Sequence, residues 1–446
     1  MRLLTFKHGI HPDYHKWFTR EKGIRKTDLP KMVVIPLKQH LGAICNPIVN
    51  KGDEVKVGQK IGDNDAFVSC PIHSSISGIV KSVGPYQHPG GDMVDSITIE
   101  SDGKDESFRA HRPPQDISTL QPDEIRNIIR ETGIVGLGGA AFPTHVKLNP
   151  PKEKPINTVI INGAECEPYL TADHRLMLER SEDIIYGIKA VMKLLGVRKS
   201  YIGIEANKKD AIEVIRKGLE KEKDADISVV SMKVKYPEGA EKMLIYAILK
   251  REVPAGGLPM DVGVVVQNVG TTIAIADAIQ RSKPLIERVV TVTGLGVKRP
   301  GNLLVKIGTL FSDVIEECGG LKDGARKVLM GGPMMGIAQY SLQVPVLKGT
   351  SGIVVLVDDE LKLEKTVPCI GCGNCVKACP MFLLPTRLAS YTDHDMLDKA
   401  DEYGILDCIE CGSCVYVCPS KLHLVQLIRL GKAKILDKKK GKGVKK

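Results

Sequence analysis

Large aromatic side chains are scarce in this sequence. Of its 446 residues one is Trp and seven are Phe, against 44 Gly and 26 Pro. The cores must therefore be built mainly from aliphatic side chains, and the abundant Gly and Pro indicate many turns between Val- and Ile-rich strands. A chain of this length accommodates about three domains of roughly 150 residues, each able to bury a core. The sequence predicts a multidomain globular protein.

Long apolar runs are missing as well. No stretch approaches the roughly 18 consecutive apolar residues that a membrane-spanning helix needs. The first residues, MRLLTFKHGIHPDYHKWF, lack the apolar centre of a signal peptide. We therefore expect a chain without a transmembrane segment of its own that stays in the cytosol.

Most of the chain has no excess of charge of either sign. The net charge is +10, but nine Lys and Arg and a single Asp lie between Arg429 and Lys446, so eight of these ten charges belong to the end of the chain. The body is nearly neutral and does not favour nucleic-acid binding. We expect residues 431–446 to form a basic tail, of which DKKKGKGVKK (437–446) is solvated and lacks fixed structure, with attraction to an acidic partner or anionic lipid as the alternative. The preceding KLHLVQLIRLGKAKI (421–435) predicts a helix that packs on the cysteine-rich region, with a membrane-surface helix as the alternative.

Cysteine is the residue type whose spacing carries most information. Eight of the twelve cysteines form two copies of C-x2-C-x2-C-x3-C-P, in CIGCGNCVKACP and CIECGSCVYVCP. This run is typical of bacterial ferredoxins that hold [4Fe–4S] clusters, in which the fourth ligand comes from the other run. The spacing predicts one cluster on Cys369, Cys372, Cys375 and Cys418. It predicts a second cluster on Cys408, Cys411, Cys414 and Cys379.

Zinc and disulfides are the alternatives for these cysteines. Paired C-x2-C motifs also bind zinc, and spaced cysteines form disulfides in secreted chains. Eight cysteines in two equal sets, each ending in Cys-Pro, favour iron–sulfur clusters. The remaining cysteines, at positions 45, 70, 166 and 318, stand alone, and we expect them to be small buried residues.

A glycine run, GLGGAAFPTHVK from Gly136 to Lys147, is the second informative motif. Its Gly-x-Gly-x-x-Ala pattern matches the dinucleotide fingerprint, with Glu165 near the distance expected of the ribose-binding acid. That fingerprint requires a strand before the first glycine, whereas QPDEIRNIIRETG has the proline, first-turn acids and isoleucine spacing of a helix. The loop is therefore better suited to a phosphate or a planar ring, with Lys147 at its end.

Four ordered segments resemble one known family. GLGGAAFPTHVK, INGAECEP (161–168), YPEGAEK (236–242) and QNVGTT (267–272) are similar to the FMN- and NADH-binding segments of the NADH-oxidising flavoprotein subunit of respiratory complex I. The N-terminal FKHGIHP and IPLKQHLGA, together with the double cysteine run, narrow the resemblance to the C subunit of Rnf complexes. Those complexes are membrane-bound ferredoxin:NAD+ oxidoreductases that transport Na+ or H+.

The resemblance implies a set of cofactor-binding residues, with hydride transfer at FMN itself and no separate catalytic side chain. The FMN contacts that it implies are Gly136, Gly138, Gly139, Lys147, Asn162, Tyr236, Gly239, Asn268 and Thr271. The positions facing the nicotinamide nucleotide are Phe142, Glu167 and Glu241, and Glu165 remains a further cofactor-binding candidate. A flavin is also needed on chemical grounds, because NAD(H) exchanges two electrons at once and each cluster takes one.

The other regions complete a multidomain α/β architecture. Residues 1–115 resemble a β barrel-sandwich hybrid, as in biotinyl and lipoyl carriers, but GDNDAFVSC (62–70) lacks the lysine that a swinging arm needs. We expect an α/β flavin domain over 116–285 and a β-grasp module of the SLBB type over 286–360. A helical ferredoxin-like domain with two [4Fe–4S] clusters follows over 361–430.

The function that these features predict is electron exchange between NAD(H), FMN and two clusters, in a peripheral subunit on the cytoplasmic face of the cell membrane. Its partners are the other subunits of a membrane complex and, indirectly, ferredoxin. A soluble cobalamin reductase of similar layout and a non-catalytic iron–sulfur scaffold are the alternatives.

Overall fold

Antiparallel strands form the N-terminal domain. The computed structural model describes residues 3–108, 115–222, 226–361 and 365–443. The first strands are β1 (Ile24–Lys26), β2 (Met32–Pro36), β3 (Asn46–Pro47), β4 (Glu54–Val55), β5 (Lys60–Asp63), β6 (Ile72–His73), β7 (Gly78–Gln87) and β8 (Met93–Ser101). A four-stranded sheet in the order β2-β8-β7-β4 and a three-stranded sheet β3-β5-β6 enclose one aliphatic core. This is the predicted barrel-sandwich arrangement.

The central domain is built on a parallel sheet. Its elements are α1 (Pro122–Glu131), α2 (Thr144–Lys147), β9 (Thr158–Gly163), α3 (Ala172–Glu179), α4 (Ser181–Leu195), β10 (Lys199–Glu205), α5 (Lys209–Leu219), β11 (Asp226–Met232), α6 (Glu241–Leu249), β12 (Val264–Asn268) and α7 (Val269–Arg281). The strand order is β11-β10-β9-β12, with every pair parallel. Helices shield the sheet, which is why β9 is a nearly continuous apolar run.

Helix α1 confirms the expectation that a helix precedes the glycine loop. Its first turn carries Pro122, Asp123 and Glu124, and the Glu124 carboxylate accepts the backbone N–H of Gln121 at 2.7 Å. Such a reciprocal cap fixes the start of the helix at a defined residue. The isoleucines of α1 are buried and turn toward the domain core. The loop that follows therefore begins at a helix C-terminus, which is not the context of a strand-to-helix dinucleotide turn.

A mixed sheet forms the third unit. It contains β13 (Glu287–Thr293), β14 (Gly301–Lys306), α8 (Phe311–Glu317), β15 (Ala325–Met330), β16 (Ile337–Ala338), β17 (Gly352–Val357) and the short α9 (Asp358–Leu361). The sheet order is β1-β14-β13-β17-β15-β16, so β1 from the N-terminal segment pairs in parallel with β14. Residues 1–115 were all predicted to belong to the first domain, whereas the three residues of β1 complete the sheet of the third unit.

Short helices make up the cluster domain. They are α10 (Asn374–Ala378), α11 (Pro385–Asp393), α12 (Leu397–Glu402), α13 (Ser413–Tyr416) and α14 (Leu424–Gly443). Helix α14 buries Leu424, Ile428 and Ile435 against α11 and α12. The helix predicted within residues 421–435 is present from Leu424. The expectation that residues 437–446 lack fixed structure was wrong as far as Gly443, because the helix continues to that point. Residues 444–446 of the predicted tail lie outside the described residues.

Four single turns of 3-10 helix connect these elements. They are Lys16–Phe18, Ile117–Thr119, Pro259–Val262 and Ile405–Asp407. In the described ranges, none of the helices combines the length and the apolar character that crossing a bilayer demands.

Candidate functional site

Two asparagines meet at the carboxyl edge of the parallel sheet. The register pairs Asn162, near the end of β9, with Asn268, the last residue of β12. Asn268 caps α7, because its Oδ1 accepts the N–H of Gly270 at 2.8 Å, and its Nδ2 donates to Asp173 Oδ2 at 2.7 Å. The carboxyl edge of a parallel sheet is where ligands of α/β domains bind. Both asparagines were predicted from the sequence as FMN contacts.

The glycine loop lies against the start of α7. The N–H of Leu137 donates to Thr271 Oγ1 at 3.0 Å, and a Cβ added to Gly138 would lie 3.4 Å from the Asn268 side chain. Gly136 closes the loop by donating to the Phe142 carbonyl at 2.9 Å. Thr271 and Asn268 therefore hold the inner side of the loop in place.

The outer side of the same loop is bare. Gly138, Gly139 and Ala140 are exposed. Gly139 has a φ of +113°, and a Cβ added there would meet no atom of the described residues within 4 Å. A left-handed glycine beside open space leaves the backbone accessible to a flat ring or a phosphate. The loop thus fits the FMN group that the resemblance implies.

Lys147 and Glu241 form the rim of this site. Their side chains make an ion pair that joins the end of α2 to the first residue of α6, and both remain about one-third exposed. A cation and an anion at the mouth of a loop can orient a charged ligand, the lysine as a phosphate partner and the carboxylate as a hydrogen-bond acceptor. Phe142 is only partly buried beside them.

Glu165 lies beneath the site, away from its mouth. Its Oε1 accepts the N–H of Asp173 at 2.7 Å in the first turn of α3. Lys16 is 3.8 Å from its Oε2 and donates to the carbonyls of Glu165 and Glu167. Burial raises the pKa of the Glu165 carboxyl above its usual range, and Lys16 opposes that shift. This geometry gives Glu165 a capping role, and its predicted contact with a cofactor stays a prediction.

Tyr236 and Glu167 connect the central domain to the other units. The Tyr236 hydroxyl is buried and donates to the carbonyl of Cys411 at 2.7 Å. Glu167 Oε1 accepts the N–H groups of Met334 and Met335, at 2.6 and 3.1 Å. Burial raises the pKa of the Tyr236 phenol, so it is kept as a hydrogen-bond donor. These two residues, predicted as cofactor contacts, are already in contact with the cluster domain and the third unit.

Gly239 packs between these groups and the strand ends. Asn162 Nδ2 donates to the Gly239 carbonyl at 2.8 Å, and the N–H of Gly239 donates to Cys166 Sγ at 3.3 Å. A Cβ at position 239 would lie 3.2 Å from that sulfur, so glycine permits the close approach. Gly239, Asn162 and Asn268, all predicted as FMN contacts, are therefore neighbours along the carboxyl edge of the sheet.

Four cysteines from both runs line one cavity in the cluster domain, which we call the inner site: Cys379, Cys408, Cys411 and Cys414. The backbone N–H of Glu410 donates to Cys408 Sγ, and that of Leu383 donates to Cys379 Sγ, both at 3.4 Å. Burial raises the pKa of the Cys408 thiol to about 11, so iron coordination would have to stabilise the thiolate. These four cysteines, which the alternating pattern predicts as the ligands of one cluster, line the same cavity, and their ligation stays a prediction.

The outer site, defined as Cys369, Cys372, Cys375 and Cys418, lies toward the surface. Cys369 and Cys372 are exposed, whereas Cys375 and Cys418 are buried. Gly371, within the exposed pair, and Gly373, between that pair and α10, both have positive φ angles, at +70° and +73°. Across the described part of the chain, no three His, Cys, Asp or Glu side chains gather closely enough to hold a single metal ion.

Lys16 and Cys166 are site residues that sequence reasoning missed or left without a role. Lys16 belongs to the N-terminal segment, whose backbone bridges at Leu4 and Ile10 join it to Met232 and Tyr236. No local pattern in the sequence indicates a lysine whose acceptors lie about 150 positions further along the chain.

Family comparisons agree with this division of the chain. A family model described as the Nuo51 FMN-binding domain matches residues 129–277, and one described as the RnfC barrel sandwich hybrid domain matches residues 4–104. An SLBB domain matches residues 289–338 and a 4Fe-4S dicluster domain matches residues 362–419. They confirm the predicted fold class and the predicted cofactors, FMN and two [4Fe–4S] clusters.

A solved structure of an NAD+-reducing [NiFe]-hydrogenase in the H2-reduced state superposes with a TM-score of 0.52 over 72% of this chain and 65% of its own. At 19% sequence identity this likeness shows the fold alone.

Curated relatives match over nearly the whole chain. The C subunit of the proton-translocating ferredoxin:NAD(+) oxidoreductase complex of Clostridium ljungdahlii is 51% identical, over 96% of this chain and 93% of the relative. The Na(+)-translocating counterpart of Acetobacterium woodii is 48% identical, over 97% of each chain. The C subunit of the ion-translocating oxidoreductase complex of Rhodobacter capsulatus is 42% identical, over 99% of this chain and 85% of the relative. On these matches the chain belongs to the RnfC family, the C subunits of ion-translocating ferredoxin:NAD+ oxidoreductase complexes.

Proposed function

We propose that this chain is the peripheral electron-input and electron-output subunit of a membrane-bound Rnf complex. It exchanges electrons between NAD(H), FMN and two [4Fe–4S] clusters, as part of ferredoxin:NAD+ oxidoreduction coupled to Na+ or H+ transport. The near relatives support this proposal, since they are named as C subunits of proton- and Na+-translocating complexes. Ion transport itself belongs to other subunits.

Bound FMN would supply the conversion between hydride transfer and single-electron transfer. The chain's own residues would hold it at the carboxyl edge of the sheet. The bare glycine loop provides accessible backbone and the start of the 13-residue α7 a positive helix end for an anion, and Lys147, ion-paired with Glu241, adds a cation at the rim. The thirteen predicted contact residues remain part of this proposal.

The contact between Tyr236 and Cys411 is the observation that carries the proposal. It joins a segment predicted to bind flavin to the loop that contributes to the inner site, through a hydrogen bond of 2.7 Å. Around it Ile10, Ala378 and Tyr236 share one buried cluster with Cys411. The flavin domain and the inner site therefore pack directly on each other. The outer site, with its exposed cysteines, is placed to exchange electrons with a neighbouring protein.

Replacing Lys147 by alanine tests the flavin site. The loss of the rim cation should lower FMN content and NADH-dependent bleaching of the flavin together, by about tenfold, because a charge-assisted phosphate contact is lost. Iron content and the brown colour should persist. FMN released on denaturation, iron and anaerobic bleaching by NADH are the measurements.

Lys152→Ala is the matched control, because Lys152 is an exposed lysine just beyond the loop. Wild-type protein that carries iron but takes up no FMN, and shows no NADH bleaching when FMN is added, would refute the proposed function. Equal flavin content in both variants would refute only the role of Lys147.

Attachment to the cytoplasmic face of the membrane is part of the same proposal. An affinity-tagged chain recovered from solubilised membranes should retain integral-membrane subunits. Recovery of the tagged chain without any of them would contradict the proposed location.

A further inference from the structure

Two buried cations beneath the glycine loop lack a carboxylate partner. Lys348 is 1% exposed and Arg288 6%, and in the described part of the chain both donate only to backbone carbonyl oxygens. The other lysines that are buried there, Lys16, Lys208 and Lys306, have a carboxylate oxygen at 3.8, 3.1 and 3.2 Å. Buried charges in proteins are normally paired, so this exception needs a reason. We call Arg288 and Lys348 the unpaired cations.

Lys348 holds the segment that leads into the loop. Its Nζ donates to the carbonyl of Pro71 in the N-terminal domain at 2.8 Å and to that of Gly133, just after α1, at 2.7 Å. Gly133 has a φ of +66°, and a Cβ there would lie 2.8 Å from this Nζ, so glycine admits the ammonium group. A Cβ added to the next residue, Gly349, would lie 3.5 Å from the carbonyl oxygen of the exposed Gly139. The backbone beside Lys348 therefore packs directly under the bare part of the loop.

Arg288 lies behind the point where the loop meets α7. Its Nη1 donates to the Lys348 carbonyl at 2.5 Å, and its Nη2 is 3.5 Å from the Leu137 carbonyl. Leu137 is the loop residue whose N–H donates to Thr271, in the first turn of α7. Arg288, Leu137 and Gly270 of the same helical turn also line one cavity. The guanidinium thus connects the loop, the start of α7 and the segment of Lys348.

The surrounding acids compensate these two charges poorly. Asp173 lines the cavity with Arg288, but burial raises the pKa of this carboxyl and weakens its countercharge. Asp63, which acts on Lys348, is already shared by two other cations. Burial lowers the pKa of Arg288 to about 10, which leaves it charged at neutral pH, and it lowers the pKa of Lys348 as well. A buried positive charge of this kind is stabilised when an anion binds nearby.

We propose that Arg288 and Lys348 are positioning residues that attract the phosphate of FMN to the glycine loop. The inference rests on the proposed function, in which FMN binds at this loop and at the start of α7. Lys147 reaches the loop from the solvent side, where water and salt screen its charge. The unpaired cations act from the protein side, where the effective dielectric constant is lower and a charge acts over a longer distance.

The experiment compares FMN with riboflavin, which has the same ring and sugar chain and no phosphate. Binding to the full chain, loaded with clusters and stripped of flavin, is measured under anaerobic conditions by the quenching of flavin fluorescence. Lys348→Met and Arg288→Met should each weaken the Kd for FMN by about fivefold to tenfold, because the attraction of the phosphate is lost. The Kd for riboflavin should change by less than about twofold, since riboflavin carries no charge for these residues to attract.

A matched control and charge-retaining variants separate attraction from folding. Lys306→Met removes a buried lysine of the same unit whose charge is paired with Asp105, and it should change neither Kd. Lys348→Arg and Arg288→Lys keep the charge and should retain most of the preference for FMN. Where a methionine variant does not fold, Arg288→Gln removes the charge and keeps a hydrogen-bond donor for Leu137, and it should lose the same preference.

The ratio of the two Kd values decides the outcome. Variants that weaken both flavins equally, or that keep the wild-type ratio, would overturn the proposal, because the cations would then serve only to hold the loop. Wild-type protein that binds neither flavin would refute the proposed function as well. FMN binding that depends on the unpaired cations, in a protein whose flavin NADH does not reduce, would refute the proposed function alone.

Discussion

Lys16 shows how one buried residue organises the candidate site. Its side chain is almost fully enclosed, and its Nζ donates to the carbonyls of Glu165, Glu167 and Leu170. Desolvation lowers the pKa of Lys16 and the Glu165 carboxylate opposes that shift, so the pair is stable only while both partners stay in place. The segment between β9 and α3 is thereby held by a residue from the N-terminal segment.

Glu238 is a second buried titratable group near the site, and it has fewer partners than Glu165. Its Oε2 accepts the Thr5 hydroxyl at 3.0 Å, while its Oε1 has no hydrogen-bond partner among the described residues. Burial raises the pKa of Glu238 to about 8. A carboxyl whose pKa is higher in the folded than in the unfolded state stabilises the fold fully at low pH. That contribution declines as pH rises above the unfolded-state pKa of Glu238, and it is lost once pH passes the folded-state pKa.

Glu238→Gln should therefore raise the melting temperature at pH 8.5 by about 2–4 °C, the equivalent of about 1 kcal/mol. Glutamine keeps the shape of the neutral acid and cannot ionise, so the gain should be smaller at pH 5.5 and should vanish only below about pH 4.5, where Glu238 is protonated in the unfolded chain as well. Circular dichroism of the loaded protein under anaerobic conditions, at both pH values, is the measurement. Glu252→Gln, at an exposed glutamate of the same domain, should change neither value. A gain in melting temperature that is the same at both pH values would contradict the raised pKa of Glu238.

Among single residues, those that belong to a local sequence motif were predictable. Residues whose partners lie far away in the sequence were not. The eight cysteines and the glycine loop are recognisable because their spacing is itself the geometry that a cluster or a bare loop needs. Lys16 and Glu238 carry no such signal. The Glu238 carboxylate is paired with Thr5, more than 200 positions away, and only the folded chain brings them together.

Helix α14 continues beyond the segment that was predicted to be helical. Three of its lysines pair with acids of the segment around α12, in the pairs Lys434–Asp395, Lys438–Asp398 and Lys439–Asp401. Each exposed pair contributes little, about 0–1 kcal/mol. Together they neutralise the like charges that would otherwise repel along a basic helix. The apolar face of the helix then supplies the main stabilisation.

Substitutions at Ile435 and Leu436 test whether the apolar face of α14 supplies this stabilisation. Ile435 is 3% exposed and packs with Leu388, Ala400 and Ile405, whereas Leu436 is 45% exposed. Ile435→Ala should destabilise the cluster domain by about 2–4 kcal/mol, because it leaves a cavity in that core. Leu436→Ala should change stability by about 0.5 kcal/mol or less. Loss of cluster absorbance on heating is the measurement, and equal effects of the two variants would mean that α14 does not pack through Ile435.

Local sequence patterns predicted which helices form. Contacts with distant residues determined where some elements end and which sheet a strand joins. The proline, acids and isoleucine spacing of α1 made that helix predictable, and Pro143 before α2 did the same. The length of α14 and the placement of β1 were not predictable. The first depends on acids about 40 residues earlier, and the second on pairing with β14, about 280 residues later.

At the scale of the whole molecule, the domains form an ordered series. The glycine loop adjoins the N-terminal domain through Leu41, the central domain contacts the inner site through Tyr236, and the outer site exposes Cys369 and Cys372. The inner site is mostly buried and packs against the central domain, whereas the outer site reaches solvent at its exposed pair. Electrons that arrive from NAD(H) should therefore pass through the inner site before the outer one.

Single-cysteine variants test this order. Cys369→Ser should retain about half of the iron, as expected of one cubane out of two, with the remaining cluster still reduced by NADH. Cys411→Ser should also keep about half, but its remaining outer cluster should be reduced at least about tenfold more slowly, because the intermediate centre is missing. Freeze-quenched paramagnetic resonance after mixing with NADH distinguishes the clusters.

Flavin content and flavin bleaching provide the control in both variants, because neither cysteine belongs to the glycine loop. A Cys411→Ser protein that keeps its flavin and still reduces the outer cluster at the wild-type rate would reverse the proposed order. The burial of the inner site would then have to serve stability instead of electron transfer. If the order holds, a neighbouring subunit must approach the exposed Cys369–Cys372 loop, since that is where the series of centres reaches solvent.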